Sequence, residues 1–288
     1  MSEVWTVLKI LQWTTGYLQE KGVENARLDS ELLLAAALGL DRVGLYLNYD
    51  RPLEGGELER YRGMVARRAK REPVQYILGE AEFWSLPLMV TPAVLIPRAD
   101  TEVLVEEGLK RLTEAPGPVL DVGTGSGAIV LALASEAENS DFTALDISPE
   151  ALAIAKKNAE RHGFLDRVQF LEGDLAALPA GSYHLIVSNP PYIPAGEMAI
   201  LMPEVRDFEP TLALQGGDDD GLAAYRLLAK QAVALLAPGG WLLVEVGAGQ
   251  AAAVEAIFSA AGLQQCYLRD DYAGIARVVG GCRSEKPL

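Results

Sequence analysis

The chain has 288 residues, half of them apolar, which is enough for two domains with a sizeable core. Residues 1–75 are balanced in charge, so the net charge of −15 falls entirely in the remainder. An acidic part of this kind disfavours a nucleic-acid-binding face, which is usually basic, and fits a cationic cofactor, a protein partner or a plain solvated surface.

The chain has two cysteines, Cys266 and Cys282, and two histidines, His162 and His184. No metal centre or disulfide framework can be built from their spacing. No uncharged apolar run reaches about 18 residues, and no basic segment precedes an apolar one at the N-terminus. We therefore predict a soluble, cytoplasmic protein with no metal and no membrane association.

Residues 1–73 have the pattern of a helical bundle. Asp29 and Ser30 precede a strong helix former at 31–38, and Asp41 is placed to cap a short helix. A charged amphipathic helix follows and is stopped by Pro73. These features predict a structural or docking module without chemistry of its own.

Residues 74–92 change in character. Tyr76–Gly79 and Phe83–Val90 are β-prone and flank a turn, which predicts a β-hairpin linking two domains. We place the second domain at 93–288, with a helix beginning near Thr101.

From residue 117 onward, strand and helix patterns alternate, which predicts a mostly parallel sheet with helices on both faces. A glycine-rich loop at 123–127 joins the first strand to a helix at 128–137. The segment 192–221 is rich in Pro, Gly and acids, and loops of that length are usually functional lids or disordered. The predicted strands are 118–122, 142–146, 168–171, 183–188, 241–246 and 275–279.

Asn189-Pro190-Pro191-Tyr192 directly follows an apolar strand. The two prolines end the strand ladder and hold Asn189 at a carboxyl end, where open α/β sheets bind their ligands. An amide acceptor, the Pro190 carbonyl and the ring of Tyr192 together suit a planar group that carries an NH2.

The loop residues Gly123, Gly125 and Gly127 also satisfy a dinucleotide-binding pattern, and Asp146 lies 23 residues after the first of them. A carboxylate there accepts ribose hydroxyls, so the loop alone leaves an NAD-dependent oxidoreductase open. Asp121, at the strand end, favours S-adenosylmethionine, because it suits a sulfonium and an amino group and would repel a pyrophosphate.

Asp174 follows the third strand, where an acid or its neighbour Leu175 would meet adenine. Asp121 and Asp174 also have an ordinary structural interpretation as helix caps or turn formers.

Two segments, Asp121–Gly127 and Asn189–Tyr192, resemble those of the amino-group methyltransferases of the Rossmann-like class. More narrowly, the chain resembles the HemK/PrmC family, which methylates the side-chain amide of a glutamine in peptide chain release factors. The resemblance covers nearly the whole chain. Further stretches that carry it are 71–79 with 82–84, 95–102, 209–217 and 271–277.

The resemblance implies an α/β, Rossmann-like (class I) S-adenosylmethionine-dependent methyltransferase domain, with an N-terminal helical bundle and a linking β-hairpin. It implies S-adenosylhomocysteine as product, release factors as partners, and no direct contact with nucleic acid. Leu175 departs from the family, in which an aromatic residue is common. The implied cofactor contacts are Asp121, Gly123, Thr124, Gly125, Ser126, Gly127, Asp146, Asp174, Leu175 and Asn189; the implied substrate contacts are Asn189, Pro190, Pro191 and Tyr192, with Asn189, Pro190 and Tyr192 catalytic.

Three alternatives to methylation of a release-factor glutamine stay open. A glutamine of a ribosomal protein presents the same side chain, and the amino group of a nucleic-acid base is equally planar. A binding module that only senses the cofactor is the non-catalytic alternative, which the intact Asn189 and tandem prolines disfavour.

Overall fold

The computed structural model describes residues 4–285 of the chain. They divide into two compact units. The first is the N-terminal part as far as Glu80 together with Met202–Phe208, and the second is Ala81–Leu201 with the chain from Glu209 onward. The first unit thus ends inside the predicted linker at 74–92, and the return of 202–208 to that unit was not predicted.

Helices build the first unit around a core that includes Leu18, Leu33 and Tyr61. Asp41 caps the third helix, as predicted, by accepting a hydrogen bond from the Gly44 amide at 2.6 Å. The helices are α1 (Val7–Glu20), α2 (Ala26–Leu38), α3 (Arg42–Leu47), α4 (Gly55–Arg68) and α5 (Val74–Leu78).

The first unit differs from the sequence prediction in two places. Asp29 and Ser30 do not cap α2, because this helix begins at Ala26 and both residues are buried within it. The Asp29 carboxylate instead accepts a hydrogen bond from Arg68 Nε at 2.6 Å. The predicted strand at Tyr76–Gly79 is the short helix α5, whose Val74 and Ile77 lie three residues apart and pack into the bundle core.

The second unit contains a hairpin and a larger sheet. The hairpin differs from the predicted one, because residues 80–82, expected to form the turn, belong to its first strand. The hairpin strands β1 (Glu80–Phe83) and β2 (Leu86–Met89) pair with each other. A 3-10 turn at Ala99–Thr101 then leads into a helix, as predicted. The remaining elements are α6 (Glu102–Glu114), β3 (Val119–Val122), α7 (Ala128–Glu136), β4 (Phe142–Asp146), α8 (Pro149–Arg161), β5 (Val168–Glu172), β6 (Tyr183–Ser188), α9 (Pro203–Arg206, within the first unit), α10 (Ala223–Leu235), β7 (Leu236–Glu245), α11 (Ala251–Ala261), β8 (Gln264–Asp270) and β9 (Ala276–Cys282).

The larger sheet has the strand order β5-β4-β3-β6-β7-β9-β8, and β9 is antiparallel to both of its neighbours. Residues of α6 and α7 pack on one face, and residues of α10 and α11 on the other. The prediction of a mostly parallel sheet with helices on both faces is confirmed. Strand β8 was missed because it is an edge strand with a polar, largely exposed sequence and no clean alternation.

The order of the strands places β3 between β4 and β6, so the chain reverses its direction of travel across the sheet at β3. Val122, at the end of β3, pairs with Ser188, at the end of β6. The carboxyl ends of these two strands are therefore neighbours at the topological switch point, where open α/β sheets bind ligands.

The segment 192–221 contains short helical turns at Ala195–Ile200 and Thr211–Ala213, besides α9. Ile193 and Gln215 pair near its two ends, so the segment starts and finishes at adjacent places. Within residues 4–285, no helix combines the length and apolarity needed to cross a membrane.

Glu204 of α9 lies in an ion-pair network of the first unit. Both of its carboxylate oxygens accept from Arg71 at 2.6 Å, and Oε1 also accepts from Arg68 at 3.0 Å. Burial by itself would raise the pKa of Glu204, but the hydrogen bonds from Arg71 and Arg68 hold it below its ordinary value. The network therefore ties α9 to the end of α4 by charge-assisted bonds.

Replacing Glu204 by alanine removes these bonds and leaves Arg71 without its carboxylate. We expect the free energy of unfolding to fall by about 1.5–3 kcal/mol, the range for hydrogen bonds to charged groups. Urea unfolding at neutral pH measures this. The exposed Glu197 offers a matched control, whose alanine variant should stay within about 0.5 kcal/mol of the parent. Equal midpoints for both variants would contradict a stabilising network.

Candidate active site

A cavity of about 360 Å³ opens at the carboxyl ends of β3, β4 and β6. It brings together most of the residues singled out from the sequence. Those on its wall are Gly123, Thr124, Gly125, Ser126, Asp146, Asp174, Leu175, Asn189 and Pro191. Asp121, Gly127, Pro190 and Tyr192 are not among the wall residues.

The glycine loop presents its backbone to this cavity. Gly123 and Gly125 have φ angles of +75° and +57°, and a Cβ at either position would meet no heavy atom within 4 Å. The loop is fixed from behind, because the amides of Gly123 and Thr124 both donate to the Leu145 carbonyl, at 2.8 and 3.0 Å. A ligand can therefore approach the loop closely, and glycine is needed for the backbone conformation.

Gly127 has a different place from its neighbours. A Cβ there would come within 3.2 Å of Leu131 Cδ1 and 3.3 Å of Ala155 Cβ. The residue therefore permits close packing of α7 and α8, and the structure gives it no position on the cavity wall, where we had expected it.

Asp146, the last residue of β4, is held beside the glycine loop by backbone amides. Its Oδ2 accepts from Gly125 at 2.8 Å, and its Oδ1 accepts from Ser148 at 2.9 Å. Burial raises the pKa of Asp146, and these backbone bonds oppose the shift. The carboxylate is thus fixed in orientation on the wall, with lone pairs left for a ligand.

Asp121 lies beneath the glycine loop and not on the wall. It is fully buried, and its Oδ2 accepts from Thr124 Oγ1 at 2.6 Å. Its Oδ1 is buried without a hydrogen-bond partner among the described residues. Burial raises the pKa of Asp121 to about 7, although the bond from Thr124 acts in the opposite direction. We had expected this carboxylate to face a ligand; the structure shows it holding the loop.

Asp174 and Leu175 follow β5 and lie on the wall together. The exposed carboxylate of Asp174 accepts from the Ala176 amide at 2.8 Å, which is a turn contact. The Leu175 carbonyl accepts from Gln231 Nε2 at 2.5 Å, so α10 fixes this stretch of backbone. The pair supplies one acid and one apolar side chain to the same part of the cavity.

Asn189 continues from β6 and connects to two residues that the sequence analysis did not single out. Its Nδ2 donates to Thr101 Oγ1 at 3.4 Å, and that hydroxyl donates to Glu245 Oε2 at 2.5 Å. Thr101 and Glu245 are 4% and 2% exposed. The available signal for Glu245 was a carboxylate at the end of an otherwise apolar strand, 241–246.

Tyr192 packs against the apolar cluster beneath α10 and α11. Its backbone carbonyl accepts from Gln250 Nε2 at 3.0 Å, which anchors the chain just after the prolines. Burial raises the pKa of Tyr192 to about 12. The phenol is therefore neutral at physiological pH and does not act there as a base.

Arg98 places a positive charge on the cavity wall. Its guanidinium donates to the buried carboxylate of Glu209, which also accepts from the Ile96 amide at 3.3 Å. This ion pair joins the segment before α6 to the interior of the segment 192–221. Among residues 4–285, no group of three or more His, Cys, Asp and Glu side chains is arranged to hold a metal.

The buried Asp121 makes a prediction about stability. Because its folded-state pKa is raised to about 7, its stabilising contribution is complete below the unfolded pKa and is lost as the pH rises through 7. Between pH 6 and 8.5 the free energy of unfolding of the parent should fall by about 1–1.5 kcal/mol more than that of Asp121→Asn. Denaturant unfolding at the two pH values measures the difference.

The control for this experiment is the exposed Asp174. Its asparagine variant should keep the pH dependence of the parent. If Asp121→Asn also follows the parent over this range, the carboxyl does not gain its proton on folding.

Two family models match the chain. One is described as the PrmC N-terminal domain and matches residues 9–79, and the other is a methyltransferase domain that matches residues 114–260. Among solved structures, the catalytic domain of hMettl16 in complex with a hairpin of the MAT2A 3′UTR has a TM-score of 0.57 at 16% identity. That match covers 78% of this chain and 82% of the other. This likeness shows the fold alone.

Curated relatives are much closer in sequence. The release factor glutamine methyltransferase of Geobacter sulfurreducens is 56% identical over 281 residues, which is 97% of each chain. The protein of the same name from Chlorobaculum tepidum is 43% identical, covering 88% of this chain and 89% of its own. With identity this high over nearly its full length, the chain belongs to the HemK/PrmC family of release factor glutamine methyltransferases.

Proposed function

We propose that this protein transfers a methyl group from S-adenosylmethionine to the side-chain amide nitrogen, N5, of a glutamine in peptide chain release factors, within their Gly-Gly-Gln motif. S-adenosylhomocysteine is the product. The 56% identity to a release factor glutamine methyltransferase, over 97% of both chains, is the observation that carries the proposal. The chemistry of the site also supports it, because Asn189 lies on the same cavity wall as the glycine loop and Asp146.

The residues present fit S-adenosylmethionine. The open backbone at Gly123 and Gly125 admits a ligand, and Asp146 keeps lone pairs that suit ribose hydroxyls. Leu175 offers adenine an apolar contact in place of aromatic stacking, beside Asp174. When bound, this cofactor supplies an electrophilic methyl group. Thr124 and Ser126 complete the proposed contacts, while Asp121 and Gly127 contribute by holding the loop.

The substrate nitrogen needs help, because the lone pair of an amide is delocalised. We assign the two acceptors to Asn189 Oδ1 and the Pro190 carbonyl, each taking one N–H of the glutamine amide. Oriented acceptors stabilise positive charge as it develops on nitrogen. Holding the amide in place lowers the activation barrier further, because positioning of the reacting groups can contribute about 7–11 kcal/mol.

The neighbours of Asn189 support its role as an acceptor. Its NH2 donates to Thr101, which leaves the side-chain carbonyl oxygen free for the substrate. Pro191 lines the cavity, and Tyr192 is anchored through its backbone by Gln250. We assign the neutral ring of Tyr192 to the face of the glutamine amide.

The division of labour along the chain is also part of the proposal. Residues 1–73 would recognise the protein substrate, 74–92 would link the two parts, and 93–288 would hold the cofactor and the chemistry. The excess negative charge of the second part disfavours a nucleic-acid base as the acceptor of the methyl group.

The first functional prediction concerns Asp146. Its alanine variant should bind S-adenosylmethionine about 1.5–3 kcal/mol more weakly, since ribose hydroxyls lose a charged acceptor and Gly125 loses its anchor. Calorimetry on the folded variant measures the affinity. Glu172, the exposed last residue of β5, provides a control whose alanine variant should bind as the parent does. Equal affinities for all three proteins would remove Asp146 from the cofactor site.

The second concerns Asn189. Replacing it by alanine should lower kcat for a release-factor glutamine by about 10²–10³, as for other preorganised polar groups in a transition state. Asn189→Asp should be about as poor, because the carboxylate has no proton to donate to Thr101 and lies near the buried Glu245. Neither change should abolish cofactor binding.

Methyl transfer from labelled S-adenosylmethionine to purified release factor, followed by mass spectrometry of the modified peptide, measures these rates. The exposed Asn139 is the control, with alanine expected to be silent. Ribosomes and RNA are offered in parallel reactions. Label on either of them but not on a release-factor glutamine would reject the proposed substrate.

A further inference from the structure

We infer that Thr101 and Glu245 are positioning residues that fix the orientation of the side-chain amide of Asn189. The inference rests on the proposed function, because it concerns the acceptor that this function requires. It assigns a role to two buried side chains outside the glycine loop and the Asn189–Tyr192 segment.

The three residues come from separate elements that meet at the cavity, where Thr101 and Asn189 lie on the wall and Glu245 lies behind them. Asn189 follows β6, Glu245 ends β7, and Thr101 closes the 3-10 turn before α6. The hydroxyl of Thr101 lies between the other two, 3.4 Å from Asn189 Nδ2 and 2.5 Å from Glu245 Oε2. Since β6 and β7 are paired neighbours, the sheet itself holds the carboxylate near the amide.

The direction of the chain of hydrogen bonds follows from the count of protons. A threonine hydroxyl has one proton, and an ionised carboxylate can only accept. The Thr101 proton is therefore committed to Glu245, and the hydroxyl oxygen can only accept from Asn189. The amide must then present its NH2 to Thr101 and its carbonyl oxygen in the other direction.

Without this arrangement the two orientations of the amide would be nearly equivalent in shape. An asparagine turned through 180° exchanges its acceptor for a donor. Such a turn would direct an NH2 at the NH2 of the substrate, which is a repulsive pairing. The short bond between Thr101 and Glu245 thus selects the orientation of Asn189 that accepts from a substrate amide.

The carboxylate is also the part of this arrangement that responds to pH. Burial raises the pKa of Glu245 to about 7. The bond from Thr101, the charge of Arg277 and the nearby amide of Asn189 lower it, and the charge of Asp100 raises it. The phenol groups of Tyr192 and Tyr225 also lie close enough to interact with this carboxylate, and the Tyr225 hydroxyl donates to the Glu245 carbonyl at 3.0 Å. When protonated, Glu245 can donate to Thr101, and the hydroxyl proton is then free to point at Asn189.

The test uses Thr101→Val, Thr101→Ser and Glu245→Gln in the full chain. Valine keeps the shape but removes the hydroxyl, so kcat for release-factor methylation should fall about 10- to 100-fold, as for a misplaced catalytic group. KM and the affinity for S-adenosylhomocysteine should change less than about twofold, because the hydroxyl is engaged by Asn189 and Glu245. Serine restores the hydroxyl and should recover most of the parent rate.

The pH profile separates positioning from a structural role. In the parent, kcat should rise through about pH 7 as Glu245 ionises, and Glu245→Gln should lack this limb. Independently of activity, a carboxyl resonance in protein labelled with 13C-glutamate should titrate near pH 7 and be absent from Glu245→Gln.

Different results would contradict the proposed function and the positioning role of Thr101 and Glu245. If the parent does not methylate release-factor glutamine, the proposed function fails. If the parent does so and Thr101→Val matches its rate, or the limb persists in Glu245→Gln, the positioning role is overturned. Should the valine variant be unstable, the pH profile and the resonance of Glu245→Gln decide alone.

Discussion

The parallel pairing of β3 with β6 is the constraint on which the site depends. It places Val122 opposite Ser188, and the Ser188 hydroxyl donates to the Val122 carbonyl at 2.7 Å in the core. The loop that follows β3 and the prolines that follow β6 therefore leave the sheet side by side. The glycine loop and Asn189 then meet at one cavity, each held at the end of a strand, which is the arrangement that the proposed reaction needs.

Two buried carboxylates at strand ends show how the fold accommodates groups that are costly to bury. Asp121 and Glu245 lie in the core of the sheet, and each accepts a short hydrogen bond from a threonine, Thr124 and Thr101. Burial raises the pKa of both to about 7. Such groups lower stability at alkaline pH, and their presence beside a cavity is typical of functional sites, where orientation matters more than stability.

The long segment between Tyr192 and Gly221 is organised by charge at separate points. Glu209 lies in the second unit and is paired with Arg98, whereas Glu204 belongs to the first unit and is paired with Arg68 and Arg71. A chain shortened by its first 73 residues would lose both partners of Glu204. Deleting the bundle therefore tests more than substrate recognition, and single substitutions on its surface are the cleaner experiment.

The sequence by itself determined the fold class, the order of most elements and the glycine-loop, Asp146 and Asn189 parts of the cavity wall. Alternating apolar strands and helices, Gly123–Gly127, Asp146 and Asn189–Tyr192 are local patterns, and local patterns survive into the fold because the backbone rules behind them act over a few residues. The tertiary structure decided the rest. Asp29 looked like a helix cap but pairs with Arg68, 39 residues away, and Asp121 faces the loop and not the cavity.

The relation of Asn189 to Thr101 and Glu245 could not be read from the chain either, since Thr101 is 88 residues from Asn189 and 144 from Glu245. Only the pairing of β6 with β7 and the packing of α6 against both bring these side chains together. Contacts between distant positions follow from strand order and packing and leave no local pattern.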